Sequence, residues 1–337
     1  MSMNICLVGD FSENLDEGFK NTSHYLAQEL EKRNSVLRLN VKNFRFLDAL
    51  GQLRRGKPQI IHTIAQPTNQ SFAVTYLLRR FWPSARTAVS ALRPEKYFRQ
   101  GEISQIQRKL MHLIKPNLVL TQTDSASDLF AQLRCTVAHL PNGVDLNRFR
   151  PVDANRKSEL RKQYRLDSTR PIVLHVGHLE EDRNLFVLRS LPRAGMQVIV
   201  AGSLCMGTNR NLIDRLKWHG FHIFEGYQPN VEELYQLADC YVFPPQPGNS
   251  LAMPLSVLEA MACNLPVVTT RFSGLVDAFA EGQGLRFVGP NDDFVPQIQE
   301  LLNHPQSTAT RRMVRKFSWQ SITNQLEEYY QKLWNHT

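Results

Sequence analysis

The stretch Pro254-Leu-Ser-Val-Leu-Glu-Ala-Met-Ala-Cys-Asn-Leu-Pro-Val-Val-Thr-Thr270 places one acid on a short helical pattern that runs directly into a buried strand. Pro254 suits a first helical position, where its missing N–H loses nothing, and Asn264 suits the left-handed conformation that ends a helix. Ser256, Glu259 and Cys263 fall three and four residues apart and share one face, while Leu255, Leu258 and Ala262 are expected to face the core. A carboxylate at Glu259 can accept from two vicinal hydroxyls. The N–H groups at the helix start, around Pro254, Leu255 and Ser256, can hold a phosphate. The alternative for Glu259 is a solvated helix glutamate.

Little else in the chain has the spacing of a reactive group. No paired-carboxylate hydrolase, Ser-His-Asp order, metal-ligand spacing, Gly-x-Gly-x-x-Gly or Walker pattern stands out. His62 ends an apolar strand pattern, where a lone histidine is more often structural than functional. The five cysteines, Cys6, Cys135, Cys205, Cys240 and Cys263, are odd in number and widely spaced, which reads as small core residues rather than a disulfide framework or zinc site.

The elements that must position these residues come in two alternations. The first has strand patterns at Asn4–Val8, Val36–Leu39, Gln59–Ile64, Thr87–Ala91 and Leu118–Thr121, with a helix near Phe19–Lys32 and a short strand before Pro141. After a polar helical stretch near Ser158–Tyr164, the second has strands at Ile172–Val176, Met196–Ala201, His222–Phe224, Cys240–Phe243 and Val267–Thr269. Strand and helix alternating in this way specify an α/β protein with parallel sheets. A length of 337 residues accommodates two such domains.

Several segments together carry a resemblance. Pro254 to Thr270, Leu140-Pro-Asn-Gly-Val-Asp-Leu-Asn-Arg-Phe-Arg-Pro151, Val173-Leu-His-Val-Gly-His178 followed by Arg183-Asn184, and Phe317-Ser-Trp319 with the helical pattern through Tyr330 occur in the order of the retaining glycosyltransferases of family 4. The chain resembles that family over most of residues 116 to 334. The resemblance implies the GT-B fold, two facing Rossmann-like domains with a C-terminal helix crossing back to the first. The expected domains are residues 1–160 completed by 318–337, on the acceptor side, and residues 165–317, binding the nucleotide sugar.

It further implies transfer of a sugar, with retention, from a nucleoside diphosphate donor to a glycan, lipid-linked or small-molecule acceptor in the interdomain cleft. Glu259 matches the glutamate that binds the ribose. His178 and Arg183 stand where the family has an arginine and a lysine against the diphosphate, Arg183 keeping the charge. His178 can equally be a loop histidine packed at a strand end. Gly226 and Tyr227 sit where the fold binds the base, and Tyr227 can stack on it or cover the sheet edge. Gly18 stands in for a glycine-rich phosphate loop, or is a simple turn. Leu251 replaces a second family glutamate that contacts the donor sugar, and Ser90 is the nearest counterpart of a histidine near the acceptor. No cofactor or metal is implied, since the donor is a co-substrate and no Asp-x-Asp pattern is present. These departures leave a rival reading, a GT-B scaffold that binds a nucleotide or anionic surface without turnover.

Charge separates the chain more sharply than its total of +9. Residues 1–50 are close to neutral and residues 116–337 balance, whereas residues 51–115 carry twelve Lys and Arg against two Asp and Glu. Tyr76-Leu-Leu-Arg-Arg-Phe-Trp82 interleaves apolar and basic side chains there. Such a segment suits an anionic membrane surface or an anionic acceptor, and otherwise is a solvated basic face. Nucleic acid is not expected as a partner. No apolar run approaches the roughly 20 residues of a membrane span, and the start of the chain has no signal-peptide layout. The expectation is a cytoplasmic protein, peripheral at the inner face of a membrane if the basic segment docks there.

Overall fold

A computed structural model describes residues 2–15, 17–43, 45–92, 105–202, 209–246 and 252–335. Asp16, Cys205, the stretch Asn249 to Leu251 and residues 93–104 of the basic segment lie outside the described residues. The chain divides into two compact units, Met1–Gly143 with Ser250–Met253 and Trp319–Thr337, and Val144–Asn249 with Pro254–Ser318.

Unit 1 is one parallel sheet of six strands, β1 (Asn4–Gly9), β2 (Ser35–Asn40), β3 (Ile60–Ala65), β4 (Arg86–Ala91), β5 (Leu118–Thr121) and β6 (Val137–His139), in the order β2-β1-β3-β4-β5-β6. The central strands are apolar runs because helices cover both faces of the sheet. Helix α1 (Gly18–Glu31) returns from β1 to β2. Helices α2 (Phe46–Gly56), α3 (Asn69–Phe81), α4 (Gln105–Ile114) and α5 (Asp124–Gln132) serve the crossovers that proceed the other way. With every crossover right-handed, α1 lies on one face and α2 to α5 on the other. Leu50 and Leu53 of α2 pack with Val74 and Leu78 of α3 and with Trp82 just after it, and Phe72 and Tyr76 of α3 share a core with Met111 and Ile114 of α4.

Unit 2 opens with α6 (Ala154–Gln163) and has a second six-stranded parallel sheet. Its strands are β7 (Ile172–Val176), β8 (Gln197–Gly202), β9 (Phe221–Glu225), β10 (Cys240–Phe243), β11 (Val267–Thr270) and β12 (Leu285–Val288), in the order β12-β11-β10-β7-β8-β9. Its helices are α7 (Arg210–Trp218), α8 (Val231–Leu237), α9 (Leu255–Ala262), α10 (Ser273–Val276), α11 (Phe294–Asn303) and α12 (Thr310–Val314). β12 is an addition to the sequence reading. Its edge position leaves two of its four residues half-exposed, so it lacks the continuous apolar run of its neighbours.

The expected first-domain limit near residue 160 is corrected to Gly143. Side-chain bonding explains why residues 144–163 belong to unit 2. Arg148 donates to Glu232 Oε2 at 2.9 Å and to the Pro229 carbonyl at 2.7 Å. Arg161 donates to the Leu237 carbonyl at 3.0 Å and Asp239 Oδ2 at 2.6 Å.

The final helix, α13 (Trp319–Asn335), is part of unit 1 and packs on α1. Trp319 stacks on Tyr25 with ring centroids 5.4 Å apart. Arg33 and Asn34 both donate to the Glu327 carboxylate at 2.6 Å. His62, fully buried within β3 rather than at its end, faces the Tyr330 hydroxyl at 2.6 Å and Ser90 Oγ at 2.9 Å. Burial pushes its pKa down to about 3, so it is a neutral packing residue.

The two motifs at the unit boundary explain one another. A Cβ on Gly143 would lie 2.5 Å from the Trp319 ring, so Pro-Asn-Gly and Phe-Ser-Trp are required together. The Asn142 side chain donates to the Met253 carbonyl at 2.7 Å and accepts from Gln122 at 2.8 Å. Gly143→Ala is therefore expected to cost about 1–3 kcal/mol in urea unfolding by overpacking. In a double-mutant cycle with Trp319→Ala, the two losses should be less than additive.

Candidate functional site

In unit 2 the crossovers from β7 leave first toward β8 and later toward β10, so the strand order reverses between β7 and β10. Loops leaving the carboxyl ends of those two strands diverge there, which is where open α/β sheets admit ligands. The loop after β7 contains His178 and a tight turn at Glu181–Arg183, closed by Asn184 in the left-handed conformation at φ +53°. Gln246, after β10, donates its N–H to the Asp182 carbonyl at 3.1 Å and ties the two loops together. Arg183 is buried, its guanidinium 5.7 Å from the centroid of the Phe243 ring at the end of β10 and its Nε 3.9 Å from Asp182 Oδ1. Under this loop His175 is fully buried, stacks between Tyr241 and Phe243, and has Nδ1 at 3.0 Å from the Val242 carbonyl. Burial first, then the Arg183 and His178 charges, push its pKa to about 3. Arg183 thus sits above a neutral ring.

Helix α9 follows β10 on the same edge. Its start carries no side-chain cap and its first turn no acid, so no carboxylate of the helix's own first turn answers the N–H dipoles there. Tyr241 fixes that start over the β7/β10 opening. Its hydroxyl donates to the Val176 carbonyl at 3.2 Å and is also hydrogen-bonded to Ser256. Pro254 takes φ −73° and ψ 130°, which corrects its expected first helical position to the residue before the helix. Leu255 is half-exposed rather than in the core. Val257, Ala260 and Met261, with Leu258 and Ala262, fill the interior instead. Asn264 does end the helix at φ +57°.

One turn into α9, Glu259 is not a solvated helix glutamate. The Tyr235 hydroxyl, from α8, donates to its Oε2 at 2.8 Å, and burial pushes the carboxyl pKa up to about 7 against the opposing effects of Tyr235 and Arg148. The face shared by Ser256, Glu259 and Cys263 is thus the one packed toward Tyr241 and Tyr235. A carboxylate poised near neutrality, with one oxygen accepting from tyrosine, can accept hydroxyl donors on the other.

His178, Arg183, Ser256 and Glu259 are accordingly brought to one edge of unit 2. Gly226 and Tyr227 follow β9, two strands from β7 and so roughly 10 Å across the sheet. Gly226 adopts φ +88°, a conformation that favours glycine, and its N–H donates to the Gly202 carbonyl at 2.8 Å. Tyr227 is 41% exposed and offers a ring face at the same edge of the sheet. Gly18, in unit 1, is an exposed residue of the first turn of α1 with no positive φ.

Reading by sequence missed Tyr235, Tyr241 and Arg148, whose roles arise only from contacts between separate elements. It also missed Asp10, although an acid at the end of an apolar strand was a usable signal. Asp10 follows β1, where unit 1's own strand order reverses between β1 and β3. It is nearly inaccessible, accepts from Ser12 N–H at 3.0 Å and from the Ser12 hydroxyl, and lies 3.5 Å from Lys42 Nζ. The Ser12 bonds and the Lys42 and Lys20 charges hold its carboxyl below the ordinary range despite burial.

Residues 156–318 match the family model described as Glycosyl transferases group 1. A sulfoquinovosyl transferase of Arabidopsis thaliana is 28% identical over 210 residues, which cover 57% of this chain and 39% of that protein. The chain thus spans about two-fifths of that relative's length. Among solved structures, sucrose-phosphate synthase from Thermosynechococcus elongatus superposes with a TM-score of 0.77 at 18% identity, covering 99% of each chain. HepE of Anabaena, solved in complex with UDP, superposes with a TM-score of 0.77 at 14% identity, covering 98% of this chain and all of that one.

Glu259 makes stability depend on pH. Its proton is held more tightly in the folded than in the unfolded chain, so its contribution is full below about pH 4.5 and lost as pH rises through about 7. Discounted for partial exposure, the loss is about 1–3 kcal/mol. Denaturant titrations from pH 5 to 8.5 should show this decline in the wild type and its absence in Glu259→Gln. The matched residues and the superpositions agree with the geometry: residues 156–318 match the group 1 glycosyl transferases, and the chain has the GT-B fold.

Proposed function

We propose that the chain is a retaining glycosyltransferase using a nucleoside diphosphate sugar. The observation that carries this reading is the uncapped start of α9, held by Tyr241 over the β7/β10 opening, with the Glu259 carboxyl one turn further in. That spacing suits a diphosphate on the helix N–H groups and ribose hydroxyls on Glu259. Tyr227 supplies a ring face for the base. The solved UDP complex of a protein with the same fold supports this class of donor.

In this reading catalysis is electrostatic. The bond between the anomeric carbon and the phosphate oxygen breaks, negative charge grows on the departing diphosphate, and the anomeric carbon gains oxocarbenium character. Arg183, leaving its place over Phe243, and the start of α9 meet that charge, with His178 adding a second cation when protonated beside phosphate. The acceptor hydroxyl attacks from the face the diphosphate leaves and passes its proton to a leaving phosphate oxygen. Retention follows without a protein base. The reading assigns charge neutralisation to protein groups rather than to a bridging cation, so turnover should persist in EDTA. Gly18, at the start of α1, keeps its reading as the stand-in for a phosphate loop, and Asp10, at the β1/β3 reversal, is assigned to the acceptor side. A carboxylate held ionised there can orient an acceptor hydroxyl.

Thermal melts with UDP, GDP, ADP and TDP test donor binding. A ligand at a hundred times its Kd adds about 2.7 kcal/mol, visible as a shift of a few degrees, and Glu259→Ala should abolish the shift. No shift with any nucleotide or its sugars in a folded protein would sink the donor assignment. With a productive acceptor, Arg183→Ala should lower kcat roughly 100-fold or more, with a smaller effect on donor affinity. Proton NMR of the product should show the donor's anomeric configuration. Nucleotide binding without turnover across an acceptor screen would favour the non-catalytic reading, toward which the sequence departures at Leu251 and His178 point.

A further inference from the structure

Helices α2, α3 and α4 form one layer on the sheet face of unit 1 opposite α1 and α13. The outward side of this layer collects Leu47, Leu77, Phe81, Leu110 and Leu113, of which Leu47 is 81%, Phe81 53% and Leu113 67% exposed. Among the described residues of 51–92 and 105–115 there are nine Lys and Arg and no Asp or Glu. The two classes of side chain interleave. On α3, Arg80 lies between Leu77 and Phe81, which are four apart and share a face. On α4, Lys109 and Leu113 are likewise four apart. A solvated basic face would not expose this much apolar surface, and a surface for nucleic acid has no use for leucines between its cations.

We propose that this three-helix layer docks on an anionic lipid bilayer, its apolar side chains entering the boundary between headgroups and acyl chains while the arginines and lysines meet lipid phosphates. Charge complementarity selects the occupant, because the three helices carry Arg54, Arg55, Arg79, Arg80, Arg108 and Lys109 against a single acid, the exposed Asp48 beside Leu47. No described helix is long and apolar enough to cross a membrane, so the attachment is peripheral. It does not depend on whether unit 2 turns over a nucleotide sugar.

Sedimentation of the full chain with vesicles of phosphatidylcholine, with and without phosphatidylglycerol, tests this. Binding is expected only to the anionic vesicles and should weaken with salt. Each cation contributes roughly a five-fold factor in partition, so Arg80→Gln with Lys109→Gln should weaken binding about 25-fold. Leu113→Ser should weaken it about ten-fold at unchanged charge. Lys332→Gln, on the opposite face, should have no effect. All four positions are exposed, so melting temperatures should stay at the wild-type value. No binding to anionic vesicles by the folded chain, or binding unchanged by the paired charge removal, would overturn the proposal. Binding that follows charge alone, with Leu113→Ser like the wild type, would overturn the lipid assignment in favour of a soluble polyanion.

Discussion

Everything functional in this chain depends on a constraint of parallel sheets. A right-handed crossover can lead from a strand to either side, and wherever successive crossovers choose opposite sides, the loops at the carboxyl ends part. Both sheets make that choice around their first strand. In unit 2 the resulting opening is floored by the neutral ring of His175, crossed by the Tyr241 bond to Val176, and edged by Arg183 and the start of α9. These groups come from separate stretches of the chain. The sheet brings them together.

How much of this the sequence could disclose depended on the range of the interaction concerned. Buried parallel strands are uninterrupted apolar runs, so eleven of the twelve were legible with limits close to those observed. β12 escaped because an edge strand has no such run. Glu259 was legible as a carboxylate on a short helix, but its burial was not, since Tyr235 lies twenty-four residues earlier in the chain and is recruited only when α8 packs beside α9. Leu255 was misassigned because α9 is covered on nearly all sides, so apolar spacing alone could not choose its inward face. The unit boundary moved for a comparable reason. Composition changes little between residues 143 and 160, and what assigns the segment to unit 2 is the bonding of Arg148 and Arg161 to α8 and its flanks.

Buried polar residues divide here into two kinds. His62 is desolvated and fully partnered, neutral across the working range of pH, and its bonds to Tyr330 and Ser90 serve packing. Glu259 and Asp10 are desolvated carboxyls at sheet reversals, with the pKa of one raised and that of the other lowered. The difference lies in their neighbours. Asp10 accepts from Ser12 beside two lysines, whereas Glu259 has one tyrosine and a more distant arginine. Burial offset by these neighbours leaves one carboxyl below the ordinary range, and burial that one tyrosine and an arginine do not offset leaves the other poised near neutrality.

The packing of Trp319 against Gly143 and Tyr25 also governs the order in which the protein can be completed during synthesis. In the order of synthesis α1 precedes unit 2, yet the side of α1 that carries Tyr25 is covered by α13, which follows unit 2. All of unit 2 is translated in between. The usual sequence of domain folding is thereby inverted, with the second sheet able to close while the first still waits for its outer helix. A chain stopped before residue 319 would hold a finished unit 2 joined to an N-terminal sheet with an uncovered apolar flank, a natural target for chaperones and proteases.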